Sequence, residues 1–183
     1  MLHFRGGQEF IDTVYGVREN ERICSIFVFV HTLGATMSTQ VFISLPTNDL
    51  NRSKAFFEGL GWQIQPNFTD ENAACILVDE NIYVMVLTPT FLATFTDKPI
   101  VDPATAIQVQ TAVSRESRAA VDELTERALA SGGKEPRPAQ DLGFMYSRDF
   151  EDPDGNHFSA MWMDPKAVEQ GPEAFMAGQN EGA

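Results

Sequence analysis

His157 lies in the run Asn156-His157-Phe158-Ser159-Ala160-Met161-Trp162, and it is the one histidine beyond residue 31. If this run is a strand, alternation sends His157, Ser159 and Met161 to one face. An imidazole that changes charge near neutrality and faces a cavity can serve as a general base. The plainer reading is a hairpin histidine bonded to backbone or water at a rim. It is preferred here, because the sequence shows no acid partner.

Gln108 and Gln110 put two amides on one side of a second strand-like run, Ala106 to Val113. They could bind a carbonyl or carboxylate of a ligand, or bond each other or water, and the residues leave both readings open. Phe42, Tyr83 and Met85 are suited to line an opposing apolar wall for an aromatic or alkyl group. Their alternative is to collapse onto one another as minor core, since Phe and Met fill space readily. Tyr146 and Arg148 share a strand face, where Arg148 could clamp an anion through its planar fork. In an acidic protein an ion pair with a nearby Glu or Asp is the better expectation. Glu151, Asp152 and Asp154 read as turn formers and solvated charge, not as a metal site.

The elements that must position these residues recur in a fixed order. Residues 38 to 46 read as a strand that Pro46 ends, with Val41, Ile43 and Leu45 on one face. Asn48 or Asp49 caps a helix with Leu50, Ser53, Phe57 and Leu60 inward, and Gly61 stops it. A short strand from Trp62 to Gln65 follows, then a hairpin of residues 73–78 and 82–87 joined by Asp79-Glu80-Asn81. After a Pro-containing connector, residues 89–103, the strand at 106–113 and a helix from about Glu116 to Ser131 start the order again. A second hairpin, residues 143–150 and 156–162, turns through Asp152-Pro153-Asp154-Gly155, where Pro and Gly suit a type I turn. An internal repeat of this length constrains the fold more than any single element does. The expected fold is α+β, with two βαβββ modules, 38–88 and 105–164, inside a domain spanning 37–165.

Two segments stand outside this repeat. Residues 1–36 lack a sustained period, apart from the apolar run Ile23 to Val30. They read as a flexible extension or as upstream sequence translated from a misassigned start, with an extra edge strand at Ile23 to Val30 as the alternative. The tail, 166–183, is expected to pack one helical turn on the domain or on a partner, with its last residues disordered.

Thirteen Lys and Arg against 26 Asp and Glu leave a net charge of -13 over 183 residues. Such a field repels phosphate backbones and anionic membrane surfaces, so nucleic acid and membrane are not expected as partners. The composition, 43% hydrophobic and 21% charged, is that of a globular chain. No apolar run approaches the ~20 residues that span a bilayer. Cys24 and Cys75 form no metal-binding spacing and are expected to be free thiols in a reducing cytoplasm.

The chain resembles the vicinal oxygen chelate superfamily, which includes glyoxalase I, extradiol dioxygenases, bleomycin-resistance proteins and fosfomycin-resistance proteins. The residues that carry the likeness are Leu45-Pro46, Asp49-Leu50, Ser53, Phe56-Phe57 and Leu60-Gly61-Trp62 in the first half. In the second they are Gly143 to Tyr146, Arg148, Phe150 to Gly155 and Trp162 to Pro165. The resemblance implies that the curved mixed sheets of the two modules pair around a central cavity and hold a divalent metal on their first and last strands. Carried over residue by residue, the ligand positions fall on Phe42, Met85, Gln108 and Ser159. This set has no imidazole and no carboxylate to replace the water a cation gives up.

The expectation is therefore a small-molecule-binding protein without the family metal and with no cofactor. Its ligand-binding residues would be Phe42, Tyr83, Met85, Gln108, Gln110 and Ser159. The alternative is a metal-dependent lyase or dioxygenase with ligands displaced to His157 and Gln108, and a third reading makes His157 a metal-free base. Whether the chain catalyses a reaction is left open. A homodimer is the expected assembly, although a monomer holding both modules can also complete the cavity.

Overall fold

The computed structural model describes residues 39–180. The expectations for residues 1–36 and for the last three residues of the tail lie outside this range.

In the first module, strand β1 (Val41–Pro46) leads to helix α1 (Leu50–Gly59), then to strands β2 (Gln63–Ile64), β3 (Ala73–Asp79) and β4 (Ile82–Leu87). Asp49 caps α1, its carboxylate accepting from the backbone N–H groups of Asn51 and Arg52. The helix ends at Gly61, whose φ of 89° is the left-handed conformation that favours glycine. A short helix α2 (Pro89–Leu92) opens the connector. The second module repeats the order with β5 (Gln110–Ser114), α3 (Arg118–Ala130), β6 (Gln140–Asp141), β7 (Met145–Glu151) and β8 (His157–Met163). Ser117 caps α3 by accepting from Ala120 N–H. The tail forms two helices, α4 (Pro165–Gln170) and α5 (Pro172–Asn180), where one turn was expected.

Each module is a four-stranded mixed sheet, ordered β1-β4-β3-β2 and β5-β8-β7-β6, with its first strand parallel to its last. The α+β duplication is as expected, and the two sheets are not closed into a barrel. Strand β5 begins at Gln110, four residues later than the alternation suggested. Ile107 and Val109 are exposed, so the pattern before Gln110 follows no buried face. Strand β6 supplies the strand that the repeat requires between α3 and β7, and having no hydrophobic period of its own it had no position in the sequence reading.

The core lies on the helix side of the sheets and is shared between modules. Phe57 of α1 stacks on Trp62 at 5.5 Å, and both rings meet Phe158 of β8 edge-on at 5.8 and 6.1 Å. Phe158 in turn stacks on Phe150. All four residues are buried, and Ile76, Val84, Val121, Leu124 and Ala128 are among the others in the cluster. Burying a Phe or Leu side chain is worth about 1.5–3 kcal/mol, so this shared cluster binds the modules into one unit.

A second tie is polar. Asp154, in the turn between β7 and β8, accepts from the Thr47 hydroxyl, the Asn48 backbone N–H and Arg52. Asp152 accepts from the backbone of Asp154 and from the backbone and side chain of Asn156, whose amide also reaches the Pro46 carbonyl. Both carboxylates are buried, which corrects the expectation of solvated turn charge. The turn is docked on the entrance to α1, and docked charge must be hydrogen-bonded.

Candidate functional site

A cavity of about 360 Å³ opens where β1, the connector and the β7–β8 turn converge. Ile43, Leu45, Leu92, Ile100, Val101 and Ile107 give it an apolar lining, and Lys98, Gln108, Asn156 and His157 add polar groups. The connector is seated closely against the turn. A Cβ on Gly155 would come within 2.9 Å of the Ala104 backbone, and its φ of 96° also calls for glycine.

The expected site residues divide between this cavity and the open sheet faces. Gln108 and His157 line the cavity; Phe42, Tyr83, Met85, Gln110 and Ser159 are not part of its lining. Phe42 and Tyr83 are cross-strand neighbours on β1 and β4, and their rings stack at 4.8 Å and 11°. Met85 is buried two residues further along β4. Phe42 and Tyr83 thus pack on each other while Phe42 stays exposed. Gln110 pairs with His157 across β5 and β8, and Gln108 precedes the strand instead of lying on it.

That register changes one correspondence between the modules. Phe42 opposes Tyr83 and Ser44 opposes Met85 in the first sheet, as Gln110 opposes His157 and Ala112 opposes Ser159 in the second. The counterpart of Phe42 is therefore Gln110, not Gln108. With either glutamine the donor set is a phenyl, a thioether, an amide and a hydroxyl. These do not fit a divalent cation, which needs charged or imidazole donors to offset lost hydration. Among the described residues no group of three or more His, Cys, Asp and Glu could hold a metal ion.

His157 does have an acid partner, contrary to the sequence-based expectation. Its Nε2 is 3.2 Å from Oδ2 of Asp149 on β7. Asp149 is 1% exposed, and Arg137 Nε donates to the same Oδ2. Burial raises the Asp149 pKa, but the Ser159 hydroxyl, the Arg137 guanidinium and the His157 imidazole outweigh it and hold the carboxyl below its usual range. The antiparallel register carries the signal that would have found this pair. It sets Glu151 opposite His157 and Asp149 opposite Ser159, so Asp149 is a diagonal neighbour of His157 on one face.

Other candidates resolve structurally. Arg148 pairs with Asp122, Glu126 and Glu135, and its guanidinium pKa is raised, first by the Glu135 hydrogen bonds. The Tyr146 hydroxyl donates to Asp122. Arg118 lies over the rings of Tyr146 and Trp162, at 5.2 Å from each, and pairs with Asp141. Cys75 is a free buried thiol, pushed by burial up to about 11. A thiol so placed is a poor nucleophile. No described helix is long and apolar enough to cross a membrane.

Comparison with known proteins agrees with this geometry. Residues 39–78 match the family model described as bleomycin resistance protein-like N-terminal. No curated protein matches the chain. Among solved structures, a hypothetical protein from S. aureus superposes with a TM-score of 0.58 at 19% identity, covering 69% of this chain and 95% of that one. A glyoxalase-related enzyme from Fulvimarina pelagi gives 0.57 at 22% identity, over 69% and 88%. A lactoylglutathione lyase from Agrobacterium tumefaciens gives 0.53 at 17% identity, over 69% and 95%. In its duplicated fold this chain is similar to these solved structures, and its first module carries the match to the bleomycin resistance protein-like N-terminal model.

Proposed function

We propose that the chain binds a small, largely apolar molecule without the help of a divalent metal. One observation carries the reading: a cavity of about 360 Å³ exists beside β1 and β8, while the positions corresponding to the superfamily's metal ligands present Phe42, Met85, Gln110 and Ser159. That volume is within the range of small-molecule pockets, and an apolar lining with a few polar groups is their usual make-up. The likeness to a lyase and to bleomycin-resistance proteins shows the fold and supports binding only as far as a fold can. A homodimer in a reducing compartment completes the proposal. Among the described residues β5 ends its sheet, an edge on which a second copy could act, and Cys75 is a thiol.

The test is ligand-observed NMR with a panel of small aromatic and aliphatic compounds, before and after treatment with EDTA, alongside elemental analysis and native mass spectrometry. Binding should survive chelation with no stoichiometric transition metal present. Binding that vanishes with EDTA and returns with added Zn²⁺, Ni²⁺ or Mn²⁺ would overturn the reading in favour of the metal-dependent one.

A further inference from the structure

The cavity's lining holds one imidazole, one ammonium and no carboxylate, in a chain with 26 Asp and Glu. The polar groups are not equivalent. Both N–H groups of the Asn156 amide are committed, to Pro46 and Asp152. Lys98 has no ion pair among the described residues, and Gln108 makes no side-chain hydrogen bond among them. Nε2 of His157 is buried 3.2 Å from Oδ2 of Asp149 without forming an aligned hydrogen bond to it.

The position of Asp149 bears on which nitrogen carries the proton. A carboxylate 3.2 Å from Nε2 favours the tautomer with hydrogen there, leaving the lone pair on Nδ1. The carboxylate thus lies across the ring from Nδ1, the relation that the acid has to the reacting nitrogen in hydrolase triads. Arg137 fixes Asp149 in place without reaching the cavity lining.

We propose that the cavity is a metal-free proton-transfer site for carbon acids, with His157 as the base, Asp149 as its positioning residue and Lys98 as the charge that answers the anion formed. The proposal rests on the cavity being the ligand site. In the step, the C–H proton of the bound molecule passes to Nδ1 of His157, and the bonding pair stays on carbon, delocalised into an adjacent carbonyl or similar group. The proton is then returned to the substrate or exchanged with water, so no oxidant or reductant is consumed.

A suitable probe is 5-nitrobenzisoxazole. A base removes its ring C–H proton, the C–H pair becomes part of a nitrile, and the N–O bond breaks to release a coloured phenolate. The full chain should open this ring with saturation, and His157→Gln should lower kcat by about a hundredfold. The same variant should leave the Kd for 6-nitrobenzotriazole, a non-reacting compound of similar shape, within about twofold, since an interaction lost only in the transition state lowers kcat without weakening ground-state binding. Asp149→Asn should lower kcat at unchanged KM, and nitrogen-15 NMR of the wild type should show hydrogen on Nε2 of His157. A His157→Gln variant as fast as wild type, with 6-nitrobenzotriazole still bound, overturns the assignment of the base and leaves the cavity standing. Failure of the folded protein to bind 6-nitrobenzotriazole counts against the cavity itself. Hydrogen on Nδ1 in the NMR spectrum overturns the role of Asp149.

Discussion

The Thr47 hydroxyl donates to Oδ2 of Asp154 over 2.8 Å, although the two residues are 107 positions apart. One residue follows β1 of the first module and the other sits in the closing turn of the second. The same carboxylate serves the Asn48 backbone and Arg52, so a single side chain satisfies donors at the entrance of α1 from across the module boundary.

Removing that carboxylate should destabilise the whole domain. Asp154→Ala takes their carboxylate acceptor from the Asn48 N–H and the Thr47 hydroxyl, which keeps Ser53 as a partner, with an expected cost of about 2–4 kcal/mol. Arg52 contributes little of this, since its side chain is 46% exposed. Thr47→Ala should cost about 1–3 kcal/mol, since its hydroxyl meets Ser53 and the Asp49 N–H as well as Asp154. Urea unfolding of the two single variants and the double variant should show non-additive losses. Strict additivity would mean that the bond does not link the modules energetically.

Asp152 should give the stability curve an unusual upper limb. Burial, first among its causes, pushes its carboxyl up to about 6, against the Asn156 and Asp154 hydrogen bonds that lower it. A carboxyl with a raised folded-state pKa binds its proton more readily when folded, so stability rises as pH falls from about 7 towards 5. Asp154 and Asp149 have lowered values, and their contribution is present above the unfolded carboxylate range and lost as pH falls through the folded values. The unfolding midpoint should therefore peak near pH 5 and drop below about pH 4. Carbon-13 NMR of the Asp152 carboxyl tests the cause directly, and titration near 4 would refute it.

Much of the fold was legible because its elements bury one face. Strand alternation at Ile43 and Leu45 and the spacing of Ser53 and Phe57 report real burial against the shared core, whereas Val41 on the same face is exposed. Ile107 and Val109 alternate just as regularly, yet they border an open cavity, and no local pattern distinguishes the two cases. The Asp149–His157 pair could have been reached by counting register back from the Asp152 to Gly155 turn, since the hairpin is regular there. The burial of Asp152 and Asp154 could not, because it depends on a surface supplied about a hundred residues earlier.

Arg148 should prove more important than a surface arginine. Its side chain is 12% exposed and meets three acids, Asp122, Glu126 and Glu135. Arg148→Met keeps much of the packing volume but leaves those carboxylates facing one another in a chain of net charge -13. The expected loss is about 1–3 kcal/mol at low salt, shrinking as added NaCl screens the repulsion between the partly exposed acids. Thermal melts at low and high ionic strength check this, and a loss independent of salt would assign the effect to packing alone.

Phe158 tests whether the two modules are separable. Its ring is fully buried, stacked on Phe150 within its own module and set edge-on to Phe57 and Trp62 of the other. Phe158→Leu should cost about 1–3 kcal/mol and Phe158→Ala about 3–5 kcal/mol, the larger change leaving a cavity that a rigid aromatic cluster cannot collapse to fill. Because the ring contacts both modules, the loss should lower a single cooperative transition instead of splitting it. Near-ultraviolet dichroism, tryptophan fluorescence from Trp62 and Trp162, and far-ultraviolet dichroism should report one coincident midpoint in wild type and variant alike. If fluorescence and far-ultraviolet midpoints separate in the wild type, the aromatic cluster does not couple the modules, and Phe158→Ala would then be expected to unfold the second module at a lower denaturant concentration than the first.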